Sequence, residues 1–266
     1  MELLRALGFL SEPPTAAHAG VAEALDLPGE PRSEDYADLF LFQLYPYASV
    51  YLGAEGMLGG AARDRVAGFW RALELTPPAE PDHLAGLLGL YAELSERDAP
   101  REWRRALLWE HLLSWTPLYL PKLRELAPPS YRRWAELLEE ALAAEAAALG
   151  PLVREPLAHR EAPPLEAPHE VGGSAFLGQL LAPVRTGFVL TRDDLVAAAR
   201  ELALGVRVAE RRFVLEALLA QDASGTLRWL ARYARGWAAR HASEFWTGRA
   251  AGAAALLTEA AQAVPA

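Results

Sequence analysis

Three short segments concentrate the side chains able to do chemistry. Residues 45–52 read Tyr45-Pro46-Tyr47-Ala48-Ser49-Val50-Tyr51-Leu52 and put three tyrosines around a proline-marked corner. Residues 79–84 read Ala79-Glu80-Pro81-Asp82-His83-Leu84, which sets two carboxylates and an imidazole on a connection that proline keeps out of helix. Residues 110–117 read Glu110-His111-Leu112-Leu113-Ser114-Trp115-Thr116-Pro117. Carboxylates pair with arginines, an imidazole changes charge near neutral pH, and aromatic rings offer apolar area with a polar handle. Those are tools of recognition. Each segment also has a plain structural reading: tyrosine corners pack, Asp82 could cap a helix, and Trp115-Thr116-Pro117 could end one.

Catalytic patterns are missing around them. Gly53, Gly56, Gly59 and Gly60 follow no strand and match neither G-x-G-x-x-G nor G-x-x-x-x-G-K-[ST], and the single lysine, Lys122, is far along the chain. Ser174, in Gly172-Gly173-Ser174-Ala175-Phe176, misses the G-x-S-x-G elbow. His18, His83, His111, His159, His169 and His241 show no metal-ligand spacing. Without a cysteine, thiolate catalysis, disulfides and iron–sulfur ligation are excluded. The expectation is a protein that is not an enzyme and holds no cofactor or metal.

The elements that must position these groups read as helices throughout. Alanine, leucine, glutamate and arginine dominate the 266 residues, and all four keep their rotamer freedom in a helix. A short helix is expected near residues 2–10, and another from Ser33, carrying Tyr36, Leu39, Phe40 and Phe42 inward and stopping near Pro46. A third spans about 61–75. Thr76-Pro77-Pro78-Ala79-Glu80-Pro81 interrupts, then Leu84, Leu87, Leu88, Tyr91 and Leu94 form an apolar stripe. Trp103, Leu107, Leu108, Leu112 and Trp115 make the next, and Ser130 is placed as the cap of a helix bearing Tyr131, Trp134, Leu138 and Ala141. Prolines 151, 156, 163, 164 and 168 mark an acidic linker. Beyond it Thr191-Arg192-Asp193-Asp194 starts a helix. A second carries Val206, Ala209, Phe213 and Ala217, a third Leu227, Leu230, Ala234 and Trp237, and an alanine-rich helix comes last. The fold class is all-α, a helical bundle. The expected organisation is a core over 1–149 with a hinge at about 76–83, a Pro-rich linker over 150–172, and C-terminal helices over 173–266 packing on the core.

A net charge of −9 disfavours nucleic acid and suits a cationic partner such as an arginine-bearing peptide. Met1-Glu2-Leu3-Leu4-Arg5 lacks a secretory n-region, and no run of about 18 apolar residues is present, so a cytoplasmic location without membrane insertion is expected.

Taken in order, the three segments resemble the signature of the TorD/DmsD/NarJ family of molybdoenzyme maturation chaperones. The family pairs a P-x-x-S-x-Y-L corner with an E-P-D-H connection and a later H-x-x-x-W-x-P helix end. Here these are Pro46…Ser49-Val50-Tyr51-Leu52, Glu80-Pro81-Asp82-His83 and His111…Trp115-Thr116-Pro117. The resemblance covers about residues 33–145. Pro183-Val184-Arg185-Thr186-Gly187 and Glu210-Arg211-Arg212-Phe213 look similar to longer members.

The resemblance implies a TorD-like bundle with additional C-terminal helices. It also implies a role in binding the leader or catalytic subunit of a DMSO-reductase-type precursor during molybdopterin insertion, before twin-arginine export. A peptide site is implied at Tyr45, Tyr51, Glu80, Pro81, Asp82, His83, His111 and Trp115. The molybdopterin belongs to the client, weak guanine nucleotide binding is an analogy only, and the chain is expected as a monomer or a dimer swapped through the hinge. Two other classes remain open at this point: a helical nucleotide-binding or nucleotide-hydrolysing enzyme using Asp82 and His83, and an assembly factor docking through its C-terminal helices.

Overall fold

A computed structural model describes residues 1–207 and 209–264. Among these residues every regular element is helical, apart from one antiparallel bridge between Tyr47 and His83. The chain divides into two compact units: residues 1–49 with 58–160, and residues 50–57 with 161–266. No helix among the described residues is long and apolar enough to cross a membrane.

The first unit is organised around Leu84–Glu96, which buries Leu84, Leu87, Leu88, Leu90, Tyr91, Ala92 and Leu94. A helix buried on so many sides is a core element, and each fully buried leucine contributes about 1.5–3 kcal/mol. Glu2–Phe9 packs closely on it because Gly8 has no side chain: a Cβ there would lie 3.2 Å from the Leu88 Cβ. Pro129–Leu149 closes the other side, where Trp134 donates its indole N–H to the Leu7 carbonyl at 2.9 Å. Phe40 meets the rings of Tyr131 and Trp134 edge-on. Ser130 lies inside the first turn of that helix. Pro128 holds the cap position and Pro129 opens the helix, where its missing N–H costs nothing.

Two helices of this unit finish in wide π-type turns. Ser33–Tyr36 runs on into Ala37–Gln43, where Leu44 donates to Leu39 across five residues. Arg101–Ala106 runs on into Leu107–Leu112, where Leu113 donates to Leu108 in the same way. Such a turn holds one residue more than an α turn and shifts the later residues by roughly 100° about the axis. Phe42, expected inward from α-helical spacing, is therefore turned outward and 54 % exposed, with Leu41 beside it. Trp103, at the start of its stripe, is also outside, while Leu107, Leu108, Leu112 and Trp115 are fully buried.

The proline-rich stretch 150–172 carries two short helices, Leu157–Glu161 and Pro168–Val171. His159 is buried, with its ring nitrogens 2.7 Å from the Ser114 carbonyl and 3.0 Å from Glu155. The Leu157 N–H donates to Glu110 at 2.7 Å.

In the second unit, Thr191 and Asp194 cap Arg192–Glu201 reciprocally, as the sequence pattern required. Asp222 caps Ala223–Arg240 by accepting from the Gly225 N–H at 2.7 Å. That helix and Glu244–Ala263 form an antiparallel hairpin, tied end to end where Ser224 Oγ donates to the Ala261 carbonyl. The preceding helix is shorter than expected, Arg211–Gln221, so Val206 and Ala209 lie outside it and Phe213 is 58 % exposed.

Candidate functional site

The corner at 45–49 and the connection at 79–84 are stitched together within the first unit. The Leu84 N–H donates to the Pro46 carbonyl at 2.8 Å, and the Ala48 N–H to the Asp82 carbonyl at 3.0 Å. Prolines leave residues 75–83 outside any helix, so these backbone groups need partners elsewhere, and the corner supplies them. The Asp82 side chain is only 2 % exposed, and its carboxylate accepts the Ser49 N–H at 3.0 Å. It thereby satisfies an orphan donor in the first turn of Ala48–Leu52, a cap reaching in from a distant segment. Ser49 Oγ in turn accepts the Gly59 N–H at 3.2 Å.

His83, and not Asp82, caps Leu84–Glu96: its Nδ1 accepts the Ala85 N–H at 3.1 Å. That bond leaves the ring proton on Nε2. Burial lowers the His83 pKa, with Glu80 and Asp82 pulling the other way. Its ring meets Tyr47 edge-on at 4.7 Å, and the Tyr47 hydroxyl donates to Glu80 at 2.6 Å. Burial first, and then the Glu80 bond, raise the Tyr47 pKa, so the phenol stays a donor. The Tyr36 hydroxyl is raised by burial and by the charges of Glu12 and Glu80. The result is a surface carboxylate, Glu80, oriented by a tyrosine and flanked by a neutral imidazole.

Gly60–Ala72 supports the connection from behind. Arg63 donates to the Ala79 carbonyl at 2.8 Å and Trp70 to the Pro81 carbonyl at 3.4 Å. Phe69, the neighbour of Trp70, packs on the His111 ring at 4.8 Å. His111 is 6 % exposed, and burial together with Arg65 pushes its pKa down to about 4.

Of the residues singled out from sequence, the structure joins Glu80, Pro81, Asp82 and His83 in one assembly and connects His111 to it through Phe69 and Trp70. Tyr45 is half-buried at the start of the corner, where its carbonyl accepts the Tyr47 N–H. Trp115 has no exposed surface: its indole donates to the His111 carbonyl at 2.9 Å, and it forms the N-cap of Thr116–Leu126. Tyr51 is buried in the 50–57 stretch that belongs to the second unit. Sequence reasoning left out Tyr47, although it lies in the corner motif. It also left out Trp70, whose reach to Pro81 has no local signal. Lys122 is fully buried and paired with Glu125 at 2.8 Å. Among the described residues, no three His, Asp or Glu side chains gather to hold a metal ion.

Residues 10–120 match the family described as the nitrate reductase delta subunit, a span that takes in the corner, the connection and the His111…Pro117 segment. A search of curated proteins finds no match. The matched stretch, residues 10–120, carries all three motifs on an all-helical frame and is similar to the NarJ/TorD-like chaperone family.

Proposed function

We propose that the chain binds the precursor of a molybdopterin oxidoreductase catalytic subunit in the cytoplasm and recognises its twin-arginine leader at the surface around Tyr47, Glu80 and His83. The observation that carries this reading is the division of labour between the two acids of the connection. Asp82 is buried and engaged with the Ser49 N–H, whereas Glu80 is exposed and held by Tyr47. A carboxylate oriented in this way suits a guanidinium, which forms charge-assisted, often bidentate, hydrogen bonds. Leu41 and Phe42, 48 % and 54 % exposed on the turn leading into the corner, offer apolar surface for the short helix that succeeds the arginines in a leader.

In this reading Asp82 shapes the connection and Glu80 makes the ionic contact. Tyr45 flanks the site, and Pro81, His111 and Trp115 belong to its supporting wall.

Calorimetric titration of the full chain with twin-arginine leader peptides from the same organism's molybdoenzymes tests the proposal. One leader should bind saturably, and Glu80→Gln should weaken it about tenfold. Equal affinity in wild type and Glu80→Gln would remove Glu80 from the site. Absence of binding by every leader would shift the search to the mature catalytic subunit.

A further inference from the structure

The second unit contains a groove of about 800 Å³, within the range of roughly 300–1,000 Å³ usual for ligand pockets. Its two long walls are helix faces. Arg211–Gln221 contributes Arg212, Glu216, Leu219 and Ala220, and Glu244–Ala263 contributes Leu256, Glu259, Ala260 and Ala263. Both sets keep i, i+3/i+4, i+7/i+8 spacing, so each helix turns one continuous stripe toward the groove. Phe176 and Leu177 from Gly173–Leu180 also line it. Ala220, Ala263, Glu216 and Glu259 are exposed or half-buried, so the groove reaches the surface.

Two facing stripes of this kind form a seat for a third helix, because side-chain ridges of one helix fit the grooves between its neighbours. The alanines on the floor permit close approach, and a stripe spanning seven residues is about 10 Å long, or two helical turns. The charge at the rim selects the partner. Glu216 and Glu259 are both acidic, while the arginine of the lining, Arg212, is engaged with the Ser174 carbonyl and Oγ at 3.1 and 2.9 Å. We infer that this groove docks a short amphipathic helix of a protein partner, its apolar face on Leu219, Ala220, Leu256 and Ala260 and its basic flank against Glu216 and Glu259. The inference is independent of the leader site, which lies in the other unit.

Fluorescence anisotropy with the full chain tests it. The probe is a labelled helical peptide of about 14 residues with leucines at i, i+3, i+4 and i+7 and arginines beside them. The control carries glutamates in place of the arginines. Saturable binding of the arginine peptide, tighter than that of the control, is expected. Ala220→Trp, which fills the floor from an exposed position, should weaken binding at least tenfold. Glu216→Lys with Glu259→Lys should weaken it roughly fivefold and reverse the preference between the two peptides. The two lysine substitutions are on solvent-facing helix positions, so circular dichroism and melting temperature should match wild type. No saturable binding, an unchanged affinity in Ala220→Trp, or an unreversed preference in the lysine variant would overturn the inference.

Discussion

The connection at 79–84 and the helix hairpin of residues 223–263 are held by opposite means. The connection is fixed by directional bonds to single atoms: Asp82 to the Ser49 N–H, Pro46 to the Leu84 N–H, Tyr47 to Glu80. The hairpin is fixed mainly by shape. Gly187, at φ +71°, sits so close to the second helix that an added Cβ would lie 2.4 Å from the Ala250 nitrogen and 2.8 Å from the Trp246 carbonyl oxygen. Around it Trp237, Trp246 and Phe188 are almost wholly buried. A region held by bonds responds to the loss of an atom, and one held by shape responds to its gain. Only the first kind leaves a polar group outward with its geometry already set, as Glu80 is.

The largest effect should come from adding an atom to the shape-held region. Gly187→Ala forces a side chain into left-handed backbone and against backbone atoms that cannot swing away, and should cost roughly 3–5 kcal/mol. A urea melt monitored by circular dichroism would read this. A loss below about 1 kcal/mol would mean that the close approach is soft.

Next comes acid sensitivity in the bond-held unit. The native His111 imidazole resists protonation down to about pH 4, whereas the unfolded side chain takes up its proton near 6.5. Between those values the unfolded chain binds more protons, so stability falls as pH drops through the window and levels off below it. The loss is up to about 3 kcal/mol. Burial also lowers His83 and His159 in the same unit and His241 in the second, and all three add to the same trend. Denaturation midpoints measured from pH 7 to pH 4 should slope accordingly, and His111→Phe should flatten much of that slope.

Removing an acceptor from the stitched connection ranks third. Asp82→Ala leaves the Ser49 N–H without its carboxylate and should cost about 2 kcal/mol. Asp82→Asn, which keeps an oxygen in place, should cost less. If the two variants melt alike, the bond is not what fixes the connection. The smallest stability effect belongs to Glu80→Gln, within about 0.5 kcal/mol because the side chain is exposed. A substitution that leaves the melt unchanged and yet weakens leader binding would separate recognition from architecture.

Much of this was readable one residue at a time. Helix spacing located the stripe from Leu84 to Leu94 and the start at Thr191, because both depend on contacts within a turn or two. The three motifs fall on segments that the structure shows as a corner, a connection and a helix junction. Two kinds of position escaped. Phe42 was misplaced because a single wide turn rotates the residues beyond it, and nothing in the residue types announces that turn. Asp82 and Glu80 looked equivalent, two acids on one proline-bounded connection. They differ because one finds the Ser49 N–H and the other a tyrosine hydroxyl.

The amino-acid sequence alone therefore determined the helical class and the order of the three motifs, since these rest on local propensity and on residue spacing. The tertiary structure decided which acid is buried and which faces solvent, which histidine caps a helix, and how two distant stripes line one groove. Each of those depends on atoms far apart in the chain, and burial, unlike propensity, is a property of what surrounds a residue.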